Sequence, residues 1–319
     1  MNYRDGNSPD RDIMDPNARV DNTSKSNILT DNKKWDGKTR GSLAGYKIFL
    51  FFINFLGVGF AYALLRLVTF YYYLFAKKPK MALLDFYQST LHFSVSTSRK
   101  LIRRNFFIFG QTLVDRAAFL LGKDSNFTHT FENEQYLIDI RDHGKGGILL
   151  SAHLGNWETA GNLLKGRITP TINIVMLDAE VENIKKFMDL STGGSRFKII
   201  GIKNDLSHII AIRNALLSNE FVAIHADRYL EGAKFIELDF LGNKAKFPLG
   251  PFVIASKFDA PVTFVFAAKD GKYSYHLSAT SPITVKTKPE DIAKMYVAEL
   301  EKKLKQYPEQ WFNYFNFFQ

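Results

Sequence analysis

The chain has 319 residues and a formal net charge of +10, with 42 Lys and Arg against 32 Asp and Glu. This length allows a full hydrophobic core, and the positive charge fits partners such as anionic lipid headgroups, an acidic carrier protein or nucleic acid. The sequence contains no cysteine, which excludes disulfides, thiolate metal sites and cysteine nucleophiles. With 29 Phe, 14 Tyr and one long apolar segment, the composition favours a membrane-associated chain over a nucleic-acid binder.

The N-terminal part divides into a polar tail and an apolar segment. Residues 1–34 are rich in Asn, Asp, Ser and Lys and are predicted to be disordered. Residues 48–76 are almost entirely apolar, with Arg66 as their one charge, and as a helix they would span about 43 Å. This segment fits a spanning helix with Arg66 snorkelling to an interface, or a helical hairpin in one leaflet broken near residues 57–59. We therefore predict a tail at 1–34, a membrane anchor at 35–80 and one folded domain at 81–319.

Residues 81–122 carry apolar residues at helical spacing and are predicted to form two helices. A basic cluster is expected between them, formed by Arg99, Lys100, Arg103 and Arg104. This cluster is either a solvated helix face or a contact surface for lipid phosphate.

The remainder alternates between strand and helix patterns. Strands are expected at 148–150, 171–177, 197–202, 221–227 and 261–268, with an antiparallel edge strand at 273–280. Helices are expected at 134–141, 181–190, 205–218 and 291–305. This alternation predicts an α/β fold, a mostly parallel mixed sheet flanked by helices.

One stretch, residues 146–158, carries the chemistry. The apolar run 148–150 is followed by His153, a turn at Gly155, and Glu158 at the start of a helix. His153 would leave the carboxyl end of a central strand, where open α/β sheets place their ligands. Glu158 could reach one ring nitrogen while the other takes a proton from a substrate hydroxyl. Alternatively, His153 only caps a strand end, and Glu158 is favoured in a first helical turn by the helix dipole.

The motif Ala-His-Leu-Gly-Asn-Trp-Glu resembles that of the lysophospholipid acyltransferase superfamily, and especially that of its bacterial lipid A biosynthesis branch. The resemblance implies a glycerolipid acyltransferase-like fold, with His153 as general base and Glu158 as its orienting partner. The segment FVAIHADR resembles a second motif, in which Arg228 would hold a phosphate or Asp227 would organise the site; a local salt bridge is the alternative.

Further blocks extend the resemblance over about residues 35–319. The segment around Gly242 resembles a third block that ends in a Pro-x-Gly helix start. Backbone amides at a helix start can stabilise an oxyanion, so the amides in residues 242–250 are candidates for this role, as are those near Gly155. Arg196 falls roughly where the family carries an arginine near the substrate, although a surface arginine fits equally.

Other chemistries find little support in the sequence. It has no Gly-x-Ser-x-Gly elbow and no Walker loop, and its histidines lack metal-ligand spacing, so no metal site and no bound cofactor are expected. We predict a membrane-anchored acyltransferase that moves a fatty acyl chain from a thioester, on acyl carrier protein or coenzyme A, to a hydroxyl or amine of a lipid or glycolipid. A lipid hydrolase and a non-catalytic membrane adaptor are the alternatives. The resemblance implies the bacterial inner membrane, with the catalytic domain on the cytoplasmic side.

Overall fold

The computed structural model describes residues 43–163, 170–177, 197–203 and 205–318, all within one compact unit. Its strands are Thr128–Glu132 (β1), Gly147–Ser151 (β2), Ile172–Leu177 (β3), Phe197–Ile202 (β4), Phe221–His225 (β5), Phe235–Phe240 (β6), Asn243–Pro248 (β7), Val262–Lys269 (β8) and Ser274–Ala279 (β9). In these described ranges the main sheet has the order β1-β9-β8-β2-β5-β3-β4, and β6 pairs with β7 in a separate hairpin.

The main sheet is mixed but mostly parallel. Strands β8, β2, β5, β3 and β4 run in one direction, while β9 is antiparallel to β8 and parallel to β1. All five residues of β2 are buried, as expected for a continuous apolar run in a parallel sheet covered on both faces. This confirms the α/β fold with a mostly parallel mixed sheet flanked by helices.

The helices are Leu43–Phe75 (α1), Lys77–Asp85 (α2), Val95–Leu120 (α3), Glu134–His143 (α4), Trp157–Leu163 (α5), Ser207–Leu217 (α6), Leu249–Lys257 (α7) and Pro289–Gln306 (α8). A π-helical turn at Phe86–Thr90 follows α2, and a 3₁₀ turn at Pro308–Gln310 follows α8. Ser94 caps α3, because its hydroxyl accepts a hydrogen bond from the Thr97 amide at 3.2 Å. The long helix α3 supplies residues to both large core clusters.

The apolar helix α1 is interrupted at Gly57. The φ of 79° and ψ of 171° at this residue are non-helical, and glycine adopts a positive φ without a steric penalty. The break expected near residues 57–59 is therefore present, and α1 is not one continuous helix. The part after the break, residues 58–75, is about 27 Å long at the helical rise.

The two faces of α1 differ in what covers them. Tyr62 and Leu65 are buried on the α3 side, where Gly110 lets Leu65 approach so closely that a Cβ on Gly110 would lie 2.5 Å from its Cδ1. Large apolar side chains on the other face are exposed, among them Leu67 and Phe70. By length and composition, Ile48–Phe75 could cross a membrane. Helix α1 is thus docked on the protein through one face and leaves an apolar face uncovered.

Several local expectations are corrected by the structure. Strand β9 is not an edge strand, because β1 pairs with its outer side. Residues 235–248, for which the sequence pattern predicts no strand, form the β6–β7 hairpin. The basic cluster lies within the first turns of α3 and not between two helices. The expected tail at 1–34, the helix at 181–190 and Arg196 lie outside the described residues.

Candidate active site

The candidate active site lies at the carboxyl ends of two neighbouring parallel strands. Strands β2 and β5 pair in register, with Ser151 opposite His225. His153 follows the end of β2 by two residues, and Asp227 follows the end of β5 by two residues. Because the two strands run in the same direction, their pairing brings residues 74 positions apart in the chain into contact at one edge of the sheet.

His153 and Asp227 form a hydrogen-bonded pair. Nδ1 of His153 lies 2.8 Å from Oδ1 of Asp227, and the backbone amide of His153 donates to Oδ2 at 3.0 Å. Since a carboxylate only accepts, Nδ1 must carry the proton, which leaves Nε2 as the basic nitrogen. The Asp227 side chain is fully buried, whereas the His153 side chain is 23% exposed. The ring is thus fixed on its buried side and accessible on the other.

The C-terminal segment completes this pair. The indole Nε1 of buried Trp311 donates to Oδ2 of Asp227 at 3.0 Å, and the amide of Phe312 donates to the carbonyl of His153 at 3.0 Å. The first contact gives the carboxylate a third donor, and the second fixes the backbone that carries the histidine. The sequence analysis missed both roles, because Trp311 lies 84 residues from Asp227.

The structure corrects the expected role of Glu158. Both oxygens of its carboxylate accept hydrogen bonds from Nη1 of Arg116 on α3, each at 2.8 Å. The carboxylate that contacts the His153 ring is that of Asp227, so the direct contact expected between Glu158 and the ring is wrong. The five-residue spacing placed Glu158 in the first turn of α5, where it faces α3 instead. Glu158 is therefore related to the site indirectly, because its contact with Arg116 holds α5, the helix that follows His153, against α3.

Gly155 has a structural role that differs from the expected one. Its φ is +72°, and a Cβ there would lie 1.9 Å from the carbonyl oxygen of Ala267, so only glycine fits. Its amide donates to the carbonyl of Gln310 at 2.9 Å, and the amide of Asn156 donates to Ala267 at 2.8 Å. Both amides are already hydrogen-bonded within the fold, so the Gly155 amide is not free to donate to an oxyanion here, and a role for Gly155 in binding substrate stays a prediction.

Gly242 lies in the turn of the β6–β7 hairpin. Leu241 and Gly242 have φ values of 50° and 80°, as in the two-residue type I′ turns that join antiparallel strands. A Cβ on Gly242 would meet no atom within 4 Å, so this glycine is explained by the turn and not by close packing. A role for Gly242 in binding substrate stays a prediction.

Arg228 lies next to the His153–Asp227 pair. Its Nη2 donates to the carbonyl of Phe312 at 2.7 Å, and its guanidinium lies 6.0 Å from the ring centroid of Phe315. The charge of Arg228 acts on both members of the pair, lowering the pKa of His153 and that of Asp227. Binding of a phosphate by Arg228 stays a prediction.

The electrostatics of the pair favour a neutral imidazole beside a charged carboxylate. Burial and the charge of Arg228 lower the pKa of His153 despite the opposing effect of Asp227. Burial alone would raise the pKa of Asp227, but His153 and Arg228 outweigh it and hold that pKa well below its usual range. The ring of His225, 4.3 Å from that of His153, is half-buried, and desolvation lowers the pKa of His225 well below the usual value. At neutral pH His153 can therefore accept a proton at Nε2.

A second buried polar cluster lies between α1, α3 and the sheet. Asp115 accepts from Lys269 Nζ at 2.6 Å and from the hydroxyls of Tyr62 and Tyr275. The amide group of Asn156, three residues after His153, donates to the Tyr275 hydroxyl at 3.2 Å. Sequence reasoning missed this cluster because its members are far apart in the chain. It connects the docked helix α1 to the turn that follows His153.

Together the fold and the site define a class: an α/β protein that presents a histidine, oriented by a buried carboxylate, at the ends of its central strands, a position suited to a general base. A sequence profile of the bacterial lipid A biosynthesis acyltransferase family matches residues 46–318. The chain therefore belongs to this family, which confirms the resemblance and makes the protein an acyltransferase with a lipid acceptor and an acyl donor. Compared with individually curated proteins, the chain matches none.

Proposed function

We propose that this protein transfers a fatty acyl chain from an acyl thioester to a hydroxyl or amine of a lipid or glycolipid acceptor, with His153 as general base. The observation that carries the proposal is the pairing of His153 with Asp227. This contact uses Nδ1 and leaves Nε2 on the exposed side of the ring. Family membership supports acyl transfer as the reaction.

In the proposed reaction, Nε2 of His153 takes the proton from the acceptor hydroxyl as its oxygen attacks the thioester carbonyl. The resulting imidazolium is stabilised by the Asp227 carboxylate at 2.8 Å. When the tetrahedral intermediate collapses, the C–S bond breaks and the imidazolium returns its proton to the leaving thiolate. An ester and a free thiol are the products, so no covalent acyl-enzyme and no cofactor beyond the thioester co-substrate are needed. Glu158 supports this site by anchoring α5 to Arg116.

For the donor we favour an acyl carrier protein over coenzyme A. The support is the net charge of +10, since complementary surface charge steers the encounter of an acidic carrier with a basic enzyme. Salt screens such steering. Turnover with the carrier should therefore fall with ionic strength mainly through kcat/KM. Equal rates with both donors, unaffected by salt, would rule out this preference.

Membrane association completes the proposal, with the inner membrane as the location and the catalytic domain on the cytoplasmic side. Its support is the uncovered apolar face of α1, where Phe55, Leu67 and Phe75 are 68%, 69% and 65% exposed. Apolar area of this extent is costly in water, at about 25 cal/mol per Å². The full chain should sediment with membranes in high salt, and a chain beginning at Lys77 should do so less. Solubility of the full chain without detergent would exclude the anchor.

The test of the proposed function is His153→Ala, compared with the matched control His143→Ala at an exposed position on α4. Loss of the base should lower kcat by about 10²–10⁴-fold, because general-base catalysis contributes that much. Melting behaviour and membrane binding should stay near normal in both variants. Product mass separates transfer to a lipid from hydrolysis, in which water is the acceptor. Full transfer activity in folded His153→Ala would exclude His153 as the base.

A further inference from the structure

A group of cations near the start of α3 is not used by the proposed chemistry. Arg99, Lys100 and Arg103 are exposed and, with Val95 and Ser96, line a surface recess that we call the basic recess. Across the described ranges, no carboxylate lies within ion-pair distance of these three cations, whereas Arg104 on the same helix pairs with Glu309 at 2.9 Å. The recess therefore presents uncompensated positive charge to its surroundings.

The basic recess is continuous with the end of α1. The guanidinium of Arg103 lies 4.7 Å from the ring centroid of Tyr73, and Nζ of Lys80 lies 5.2 Å from the same centroid. Lys80 also donates to the carbonyl of Tyr73 at 3.3 Å. In the same last turns of α1, two positions to either side of Tyr73 in the sequence, Tyr71 and Phe75 are 59% and 65% exposed. The cations thus lie at the end of the helix that also carries exposed aromatic side chains.

This combination determines the kind of partner that fits. An aromatic residue with one apolar side and one polar end is characteristic of the membrane interface, and a neighbouring cation attracts anionic headgroups there. An acidic protein would account for the cations but would leave the exposed aromatic end of α1 unexplained. Val95, which is 52% exposed at the rim of the recess, adds a further apolar contact suited to an acyl chain.

We propose that the basic recess binds the phosphate groups of anionic membrane lipids at the surface where the end of α1 meets the bilayer. This inference rests on the membrane association proposed above and adds the lipid class and the residues that select it. Arg99 and Lys100 supply the selecting charge, and Arg103 and Lys80 hold Tyr73 at the headgroup level. The interaction fixes how the domain is oriented on the membrane and does not involve the reacting atoms.

The absence of cysteine from the sequence makes a site-specific measurement possible. A Ser96→Cys full chain carries a fluorophore in the recess, and a Ser281→Cys chain carries the same fluorophore at an exposed position in the loop after β9. Each is bound to phosphatidylcholine vesicles that contain a minor fraction of nitroxide-labelled phosphatidylglycerol or nitroxide-labelled phosphatidylcholine. Quenching then reports which lipid is enriched around each label.

We expect phosphatidylglycerol to quench the Ser96 label more strongly than phosphatidylcholine, and the Ser281 label to show no preference. Arg99→Gln with Lys100→Gln should lower the apparent affinity for phosphatidylglycerol by about 25-fold, at about fivefold for each cation near an anionic surface. The matched pair Lys286→Gln with Lys288→Gln, two exposed lysines outside the recess, should leave it unchanged.

Four results would overturn the inference. Equal quenching by the two lipids in vesicle-bound protein, or a preference that survives loss of Arg99 and Lys100, would exclude lipid selection by the recess while leaving the proposed function intact. Protection of the Ser96 label by an acidic carrier protein, without any lipid preference, would assign the recess to a protein partner. Failure of the full chain to bind vesicles of either kind would exclude membrane association as well.

Discussion

Two buried aspartates in this protein have similar surroundings and different consequences. Asp227 and Asp115 are both fully buried, and each carboxylate accepts hydrogen bonds from a nitrogen base and from aromatic side chains. Asp227 contacts His153 and Trp311, and Asp115 contacts Lys269 and two tyrosines. Burial raises the pKa of Asp115 in spite of Lys269, whereas the pKa of Asp227 is held below its usual range.

The decisive difference is the access to the partner of each carboxylate. The His153 side chain is 23% exposed and has a second ring nitrogen that Asp227 does not use, whereas the Lys269 side chain is 3% exposed and its ammonium group is enclosed. A buried carboxylate thus supports chemistry when it orients a group that still reaches solvent. When its partner is enclosed, the same kind of pair contributes to structure, here by joining α1, α3 and β8.

Among the partners of His153, Asp227→Asn should have the largest effect on activity. The amide is close in shape to the carboxylate but does not fix the Nδ1 proton or stabilise the imidazolium, so kcat should fall by about 10³–10⁴-fold. Melting should change little in comparison with the loss of rate. Steady-state kinetics and thermal unfolding in the same detergent check both outcomes. An active Asp227→Asn enzyme would remove the distinction between the two aspartates.

Asp115→Ala should lower the stability of the fold and leave the turnover of the folded protein little changed. Removing one partner leaves Lys269 as an uncompensated buried charge, so the free energy of unfolding should fall by about 3–5 kcal/mol. Below the lowered melting temperature the remaining folded protein should keep its turnover. The control Asp239→Ala, in the exposed hairpin pair with Lys244, should melt close to the parent protein. If Asp115→Ala melts normally but is inactive, the cluster belongs to the catalytic machinery.

Trp311→Phe tests the third donor of the Asp227 carboxylate. The ring volume is largely kept, but the hydrogen bond from Nε1 at 3.0 Å is lost. A hydrogen bond to a charged group is worth about 1.5–3 kcal/mol, so we expect kcat to fall by about 10- to 100-fold with KM little changed. Rates as low as those of Asp227→Asn would mean that Trp311 does more than orient the carboxylate.

The smallest expected effect is a displacement of the pH profile. His153 acts as a base only when neutral, and its pKa is lowered by burial and by Arg228. The acid limb of kcat/KM should therefore lie below the ordinary histidine value of about 6.5. Arg228→Gln removes a positive charge, so the pKa of His153 should rise and the limb should move to higher pH. Arg228→Lys keeps the charge and should leave the limb near its original position.

The sequence could predict the fold class and the position of His153, because both depend on local patterns. The apolar run of β2 and its strand end are readable directly, and Asp227 follows the same logic at the end of β5. The partner of the histidine could not be found in this way. Proximity in the chain favours Glu158, whereas the strand order places Asp227 next to the ring.

Other features were missed for identifiable physical reasons. Strand β1 reads Thr-His-Thr-Phe-Glu, which has too few apolar residues to indicate a buried strand. The β6–β7 hairpin is not among the predicted strands, because glycine and proline residues interrupt its strand pattern; Gly242 occupies a tight turn between the paired strands. The contact of Trp311 with Asp227 depends on how the C-terminal segment packs, for which one sequence carries no local signal.

The claim that Asp227, rather than Glu158, orients His153 is tested most directly by the ¹⁵N chemical shifts of the histidine rings. His153→Gln assigns the signals of His153 in protein with labelled histidine. At neutral pH the account predicts a protonated Nδ1 and an unprotonated Nε2, a pattern lost in Asp227→Asn and retained in Glu158→Gln. A proton on Nε2 in the parent protein, or a tautomer that depends on Glu158 and not on Asp227, would contradict it.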